Sequence, residues 1–549
     1  MKLIYQGKEV GITNKEADTA IELFGESIAA SPDKIIACRC NNEIRPLDYQ
    51  FEEGDNVELI DLRDSDGMKV YIRGVLYIMA MAFHELYPDA LLVINYQLYN
   101  AMFCEIDNQE ITEEMISNVK KKMQEIVAAD IPFIKKEMTK EEAVEFYNKE
   151  HTLRGILQLE NPLKNEVSLY FCNDYYNYFY GVMPISTRYL NLFDIEKHNN
   201  GFIVRYPDKH DPKVIGDFKD NKKFLATLQE YDDIFEVMNI RTTYQVNKLI
   251  ENGKSKELIL MAEALHEKKI AEIADKILKK QGVRIVLIAG PSSSGKTTFA
   301  KRLGMQLRVN GLKPVTIGTD NYFVERKDNP KDENGDYDFE TIDALDLGLF
   351  NNHLTKLING ETIDVPTFDF KVGTKIFDGK KMHLAKDEVL IIEGIHCLND
   401  KLTASIPADE KFKIYISDLT VLNIDYYNRI STTDTRLVRR IVRDHNYRGY
   451  SALETLKRWP SVNAGERKNI FPYQEEADVM YNSSLVYEHG VLGKYAIPLL
   501  DAIPNTEREY SEAKRLSCFL KYFKPIENEN IIPNNSLLRE FIGGSVFDY

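Results

Sequence analysis

The chain has 549 residues, 44% of them hydrophobic, a length that exceeds one core and sets a prior of about three or four domains. Its formal net charge of −16 disfavours a broad electrostatic grip on nucleic acid or an anionic membrane, leaving only local basic patches for such contacts. The six cysteines form no Cys-x-x-Cys pair, and no apolar run reaches the ~18 residues that cross a bilayer. A cytoplasmic protein without membrane attachment is therefore expected.

Residues 1–62 alternate apolar and polar positions in short runs around one helix-like stretch, Lys15 to Ala29, which predicts a small α+β unit. A second unit is expected over 63–206 and a charged, helical linker over 207–282. In that linker Ile270, Ile273, Ala274, Ile277 and Leu278 recur at helical spacing, so they predict one apolar stripe leading into the following strand.

The run Val283 to Ala289 reads as a buried strand and is followed by Gly290-Pro-Ser-Ser-Ser-Gly-Lys-Thr-Thr298 and a helical stretch. A G-x-x-x-x-G-K-[ST] loop between strand and helix is a phosphate cradle. Its glycines, Gly290 and Gly295, let backbone N–H groups turn inward. Ser292, Ser293, Ser294, Lys296, Thr297 and Thr298 complete the candidate nucleotide site, with Lys296 as a charge for the outer phosphates and Thr297 as a Mg²⁺ ligand.

Two further apolar runs, Pro314 to Gly318 and Glu388 to Ile392, end near Asp320 and Glu393. Open parallel sheets bind ligands at such strand ends, so both carboxylates should converge on the loop. Asp320 is expected to act as the base and Glu393 as the metal-side carboxylate. The competing reading for each is a surface loop acid. Arg436, Arg439, Arg440 and Arg443 fall at i, i+3, i+4 and i+7, which predicts one helical face of guanidinium groups suited to triphosphate oxygens. A plain salt-bridged helix is the alternative. Residues 490–549 look mostly helical.

Several of these stretches carry family resemblances. The segment CRCNNEIRPLDYQFEEGDNVELID resembles the TGS domain of threonyl-tRNA synthetases, while HELYPDALL and ITEEMISNVKKKMQEIVAADIPFIKKEM resemble their editing-type second additional domain. The positions where that resemblance places zinc ligands read Arg73, Tyr77, Phe179 and Met183. No metal and no tRNA hydrolysis are expected there. The neighbouring aromatics Tyr175, Tyr176, Tyr178, Phe179 and Tyr180 are expected to fill the pocket as core rather than to stack bases.

From about Arg284 to Ser484 the chain resembles the uridine kinase family, within the group that includes phosphoribulokinase. The motifs occur in order: TDNYF, YDFETIDALD, VPTFDF, DTRLVRRIVRD and ERKNIFPYQEEADVMYNSS. The resemblance implies an α/β P-loop kinase domain over 283–489, mostly parallel sheet with flanking helices, preceded by two α+β domains and followed by the helical extension 490–549. It implies an ATP- and Mg²⁺-dependent kinase acting on a small-molecule nucleoside, with Asp320, Lys296 and Arg439 in catalysis and Tyr322, Glu340, Phe368, Phe370 and Arg448 around the acceptor. The family's base-reading histidine is replaced by Gly373, so the choice of base is open. Other acceptors, of the ribulose phosphate or pantothenate kind, remain as an alternative. A nucleotide-gated RNA-binding regulator is a disfavoured second reading, and the resemblance is compatible with a homo-oligomer.

Overall fold

The computed structural model describes residues 2–5, 8–11, 18–149, 159, 165–331, 335, 337–369 and 372–548. The first sheet contains Lys2–Tyr5 (β1), Lys8–Gly11 (β2), Ala37–Cys40 (β3), Glu43–Arg45 (β4) and Asn56–Ile60 (β5), in the order β2-β1-β5-β3-β4. Helix Ala20–Ala30 (α1) opens on a capping box: the Glu22 N–H donates to the Thr19 hydroxyl and the Glu22 carboxylate accepts from the Thr19 N–H.

Ser65–Leu86 (α2) is buried along most of its length because it is apolar nearly all round. After it come Leu92–Leu98 (β6), Ala101–Ile106 (β7), Glu113–Ala128 (α3), Ile134–Thr139 (β8), Lys140–Lys149 (α4), Glu166–Cys172 (β9), Tyr175–Asn177 (β10), Asp194–His198 (β11) and Gly201–Arg205 (β12). They build two antiparallel sheets, β10-β9-β8 and β11-β12-β7-β6. One apolar core gathers residues of both amino-terminal units, among them Ala20, Phe51, Tyr71 and Tyr206, and also takes in Tyr427.

The stretch expected as a linker is helical: Lys222–Val237 (α5), Thr243–Glu251 (α6) and Ser255–Lys279 (α7). These helices do more than connect. Leu225, Leu228 and Leu258 join Tyr96 and Phe103 on one side and Leu437 and Trp459 on the other in one cluster. Ile270, Ile273, Ala274 and Ile277 pack against Val286, Ile288 and Phe299, as their spacing predicts. Leu278 is instead 49% exposed. Eight residues beyond Ile270 it has rotated about 80° off the stripe.

The remaining strands are Ile285–Ala289 (β13), Lys313–Gly318 (β14), the short pairs Ile363–Asp364 (β15) with Lys381–Met382 (β18) and Thr367–Asp369 (β16) with Thr374–Ile376 (β17), then Glu388–Glu393 (β19), Lys411–Ser417 (β20) and Val479–Asn482 (β21). The main sheet, β14-β19-β13-β20-β21, is parallel throughout. Buried on both faces, its central strands are continuous apolar runs such as Ile285 to Ala289. Helices Lys296–Val309 (α8), Leu347–Ile358 (α9), Thr432–Arg443 (α10), Ala452–Asn469 (α11), Glu488–Asp501 (α12), Tyr510–Leu520 (α13) and Arg539–Ile542 (α14) complete this half. No helix among the described residues is long and apolar enough to cross a membrane.

Candidate active site

The phosphate loop leaves β13 at Gly290 and enters α8 at Lys296. A Cβ on Gly290 would lie 1.9 Å from the Ile416 carbonyl oxygen, so only glycine lets the loop pass over β20. Gly295 has φ +83 and Ser293 φ +60, the left-handed conformations that curl the loop. The Ser293 and Ser294 hydroxyls are buried without a hydrogen-bond partner. Orphaned polar atoms in a loop of this shape fit a ligand rich in acceptors. Lys296 Nζ folds back to donate to the Gly290 and Pro291 carbonyls, each at 3.0 Å.

Both strand-end carboxylates arrive at this loop. Thr297 Oγ1 donates to Glu393 Oε1 at 3.3 Å. Burial, reinforced by Asp320, pushes Glu393 up to about 7, while Lys296 pulls the other way. Asp320 can be reached by water from the cleft, yet it sits deep enough that lost hydration raises its carboxyl against the pull of Lys296 and Arg448. Thr297 and Glu393 together present a hydroxyl and a carboxylate suited to a hard cation that shares its other positions with phosphate oxygens and water.

The arginine helix α10 lies over the loop but does not hold its four guanidinium groups in one open row. Arg436 is 1% exposed and donates to both oxygens of Glu466 at 2.6 and 2.8 Å. Arg439 is fully buried, donates to Glu488 at 2.6 and 2.9 Å and lies 3.6 Å from Asp418 as an ion pair. Both also touch the phosphate loop, Arg436 donating to the Ser292 carbonyl at 3.2 Å and Arg439 to the Ser293 carbonyl at 3.4 Å, so they sit against the loop with most of their donors already taken by carboxylates. Arg440 reaches the Ser292 hydroxyl at 2.7 Å and Asp444, and Arg443 pairs with Asp444. Trp459 lies beneath Arg436 and Arg440, 5.6 and 5.9 Å from ring centre to guanidinium, so it packs within the helix layer.

Across the cleft, burial and the nearby Glu466 push Glu340 up to about 7, opposed by Arg440 and Lys296. Phe368 is buried 5.6 Å from the Phe323 ring. Phe370 lies outside the described residues. Arg448 is half-exposed near Asp444, within electrostatic reach of Asp320. Tyr322 departs from the expectation of an acceptor contact. It is 0% exposed, bonded to His353 Nδ1 at 3.1 Å and edge-on to Phe350, because the tight turn Thr319–Tyr322 aims it into the core. Gly373 has φ +84, and a Cβ there would lie 2.7 Å from Arg326, so any side chain at this point would meet that arginine.

Sequence reasoning missed the carboxylates that occupy the cradle. Glu466 accepts from the Ser292 N–H at 2.8 Å as well as from Arg436. Glu540, on α14, accepts from the Thr298 N–H at 3.3 Å and its hydroxyl at 2.5 Å, while Leu537 covers Gly295. Neither has a local spacing that marks it.

In the amino-terminal half, Tyr77, Phe179 and Met183 are buried, and Tyr77 donates to the Tyr170 carbonyl at 2.7 Å and packs on Phe133, Tyr175 and Phe179. Tyr175 and Tyr176 are buried too, whereas Tyr178 and Tyr180 reach α13 and its flank through Tyr522 and the Arg515 carbonyl.

A phosphate cradle on a parallel sheet is the framework of a P-loop phosphotransferase. Residues 285–486 match the Phosphoribulokinase / Uridine kinase family. A uridine kinase of Mycoplasma genitalium is 31% identical over 180 residues, covering 33% of this chain and 75% of the relative. One from Ureaplasma urealyticum is 29% identical over 214 residues, 39% of this chain and 93% of the relative. A possible uridine kinase structure from Bacillus stearothermophilus aligns with 39% of this chain and 98% of its own at 17% identity and a TM-score of 0.27. The chain belongs to the phosphoribulokinase/uridine kinase family.

Proposed function

We propose that the protein transfers the γ-phosphoryl group of ATP to the 5′-hydroxyl of a nucleoside, giving the monophosphate. The observation that carries this reading is the pairing of two cleft walls: Lys296 and the cradle on the donor side, and Glu340 with the Phe323–Phe368 pair on the acceptor side. Glu340, raised to about 7, is close enough to feel both Lys296 and Arg440. A carboxylate there accepts hydrogen bonds from vicinal hydroxyls, as a ribose offers, and the two phenyl rings supply a flat apolar wall for a base.

In this mechanism Asp320 accepts the proton of the attacking hydroxyl, and its lifted pKa brings its basicity toward the operating pH. Lys296 turns from the Gly290 and Pro291 carbonyls toward the transferring group, and Arg440 adds charge from the helix above. Thr297 and Glu393 are the residues that would hold Mg²⁺, which when bound neutralises phosphate charge. Entry of the nucleotide requires Glu540 to leave the Thr298 N–H and Glu466 to leave the Ser292 N–H, since phosphate oxygens seek the same donors.

Arg326 lies beside Gly373, so a guanidinium stands at that end of the pocket, where a base edge carrying acceptors would suit it. The test is ATP consumption with Mg²⁺ across uridine, cytidine, adenosine, guanosine, inosine, thymidine, ribulose 5-phosphate and pantothenate, with products identified by mass. Formation of a nucleoside monophosphate is expected. Turnover with ribulose 5-phosphate or pantothenate alone would overturn the acceptor assignment and keep the phosphotransfer.

A further inference from the structure

A second cavity, of about 340 Å³, lies where α2 and the β9–β10 hairpin meet α13, and no phosphate-loop residue lines it. Six cationic and three acidic side chains line it, a local excess of positive charge in a chain whose net charge is −16. Five of the six cations have carboxylate partners. Arg45 and Lys514 pair with Glu43, Lys69 with Asp66 and Glu512, Lys135 with Glu137, and Arg515 with Asp434 and Glu512.

Arg73 is the exception. Among the described residues no carboxylate lies within ion-pair distance of it, and it donates to the Val182 carbonyl. The chain passes directly over its guanidinium at Gly181, where φ is +116 and a Cβ would lie 2.6 Å from the guanidinium carbon. Burial without a counter-ion pulls Arg73 down to about 10. A guanidinium held at a cavity wall in this way carries a desolvation cost that an incoming anion offsets. Tyr170, Tyr178, Phe179 and Tyr180 supply the apolar part of the wall. The volume lies at the lower end of the range for small-molecule pockets, enough for one ring and its anionic group.

We propose that this cavity binds a small organic oxyanion, a carboxylate or phosphate ester carried on a flat apolar body, with Arg73 as its paired-hydrogen-bond donor and the tyrosine wall against its ring. The planar fork of arginine matches both oxyanions. The cavity also touches the kinase half. Arg515, on its wall, donates to both oxygens of Asp434 at 2.7 Å, and Asp434 lies in the first turn of α10. Occupancy is therefore felt at the helix that covers the phosphate loop, whichever acceptor the kinase uses.

The test is calorimetric titration of the full chain with phenyl phosphate, benzoate and inorganic phosphate, with and without saturating Mg-ATP. Phenyl phosphate or benzoate should bind once per chain and persist in ATP, and the stronger of the two identifies the oxyanion. Arg73→Met should weaken that binding on the order of 10-fold or more while leaving ATP affinity unchanged. Binding that ATP displaces, binding indifferent to Arg73→Met, or silence of all three probes at millimolar concentration would overturn the proposal. Should Arg73→Met fail to fold, Arg73→Lys keeps the charge without the planar fork. A several-fold loss for benzoate is expected there, and unchanged affinity would equally overturn it.

Discussion

The kinase cleft and the aromatic cluster of the amino-terminal half are built from opposite kinds of side chain. The kinase cleft holds Asp320, Glu340 and Glu393 in surroundings that disfavour charge, and raised carboxylates are the result. In the amino-terminal half, Tyr77, Phe179 and Met183 are packed as apolar core beside the cavity that Arg73 lines. Groups that cost stability gather in the cleft where they can do chemistry, whereas around Tyr77 packing dominates and Arg73 is the costly charge beside it.

The sharpest way to break this comparison is at Asp320. Asp320→Asn should lower turnover by ~10² to 10⁴ with ATP affinity unchanged, measured by steady-state kinetics and nucleotide titration. Full turnover in that variant would remove the base from the mechanism. Next comes a buried position that ought to affect folding rather than rate. Tyr77→Ala should cost about 3–5 kcal/mol by leaving a void, read from denaturant unfolding, with kcat unaltered at temperatures where the protein stays folded.

Within α10 the contrast lies between neighbours. Arg439→Met strands Glu488 and Asp418 and should cost about 3–5 kcal/mol. Arg440→Met leaves Asp444 with Arg443 and should cost less than about 1 kcal/mol while raising the KM for ATP. Equal stability losses in the two variants would erase the distinction between a structural and a phosphate-facing arginine.

Glu393 supplies a pH test. Its pKa rises from 4.5 to about 7 on folding, so between those values the folded chain binds more protons than the unfolded one and loses stability as pH rises. Glu393→Gln should raise Tm by a few degrees at pH 8 and leave it unchanged below pH 4.5, by thermal unfolding in each buffer. The smallest effect is expected at Glu540. Glu540→Gln keeps an acceptor for Thr298 but removes a negative charge from the cradle, and ATP affinity should tighten by about 3- to 10-fold.

Much of the cleft was legible because its signals are local. The glycine spacing of the phosphate loop and the apolar runs before Asp320 and Glu393 specify neighbours in the chain. Pairing across distance was not legible. Glu466 and Glu488 lie 30 and 49 residues from the arginines they hold, and nothing in either segment marks such a partner. Tyr322 shows another limit, since one tight turn decides whether a side chain two positions past an expected base faces cleft or core. In the amino-terminal half the aromatic run around Tyr175 reads as core by composition, yet the solitary charge of Arg73 emerges only when its surroundings are assembled.

Glu263, on α7, gathers three distant segments at one carboxylate. It accepts from the Tyr487 hydroxyl at 2.7 Å and the Ser536 hydroxyl at 2.6 Å, and lies 3.5 Å from Arg302 on the phosphate-loop helix. Its other neighbour on α7, Glu267, holds Arg302 at 2.8 Å. The stretch that matches the family, 285–486, is thus smaller than the piece that folds. Cut out on its own, it would carry Arg302 into the interior with neither acid to meet it and would lose the α7 stripe beneath Phe299. The borders of the matching stretch and of the cooperative unit differ here, and the matching stretch relies on acids and apolar side chains that lie outside it.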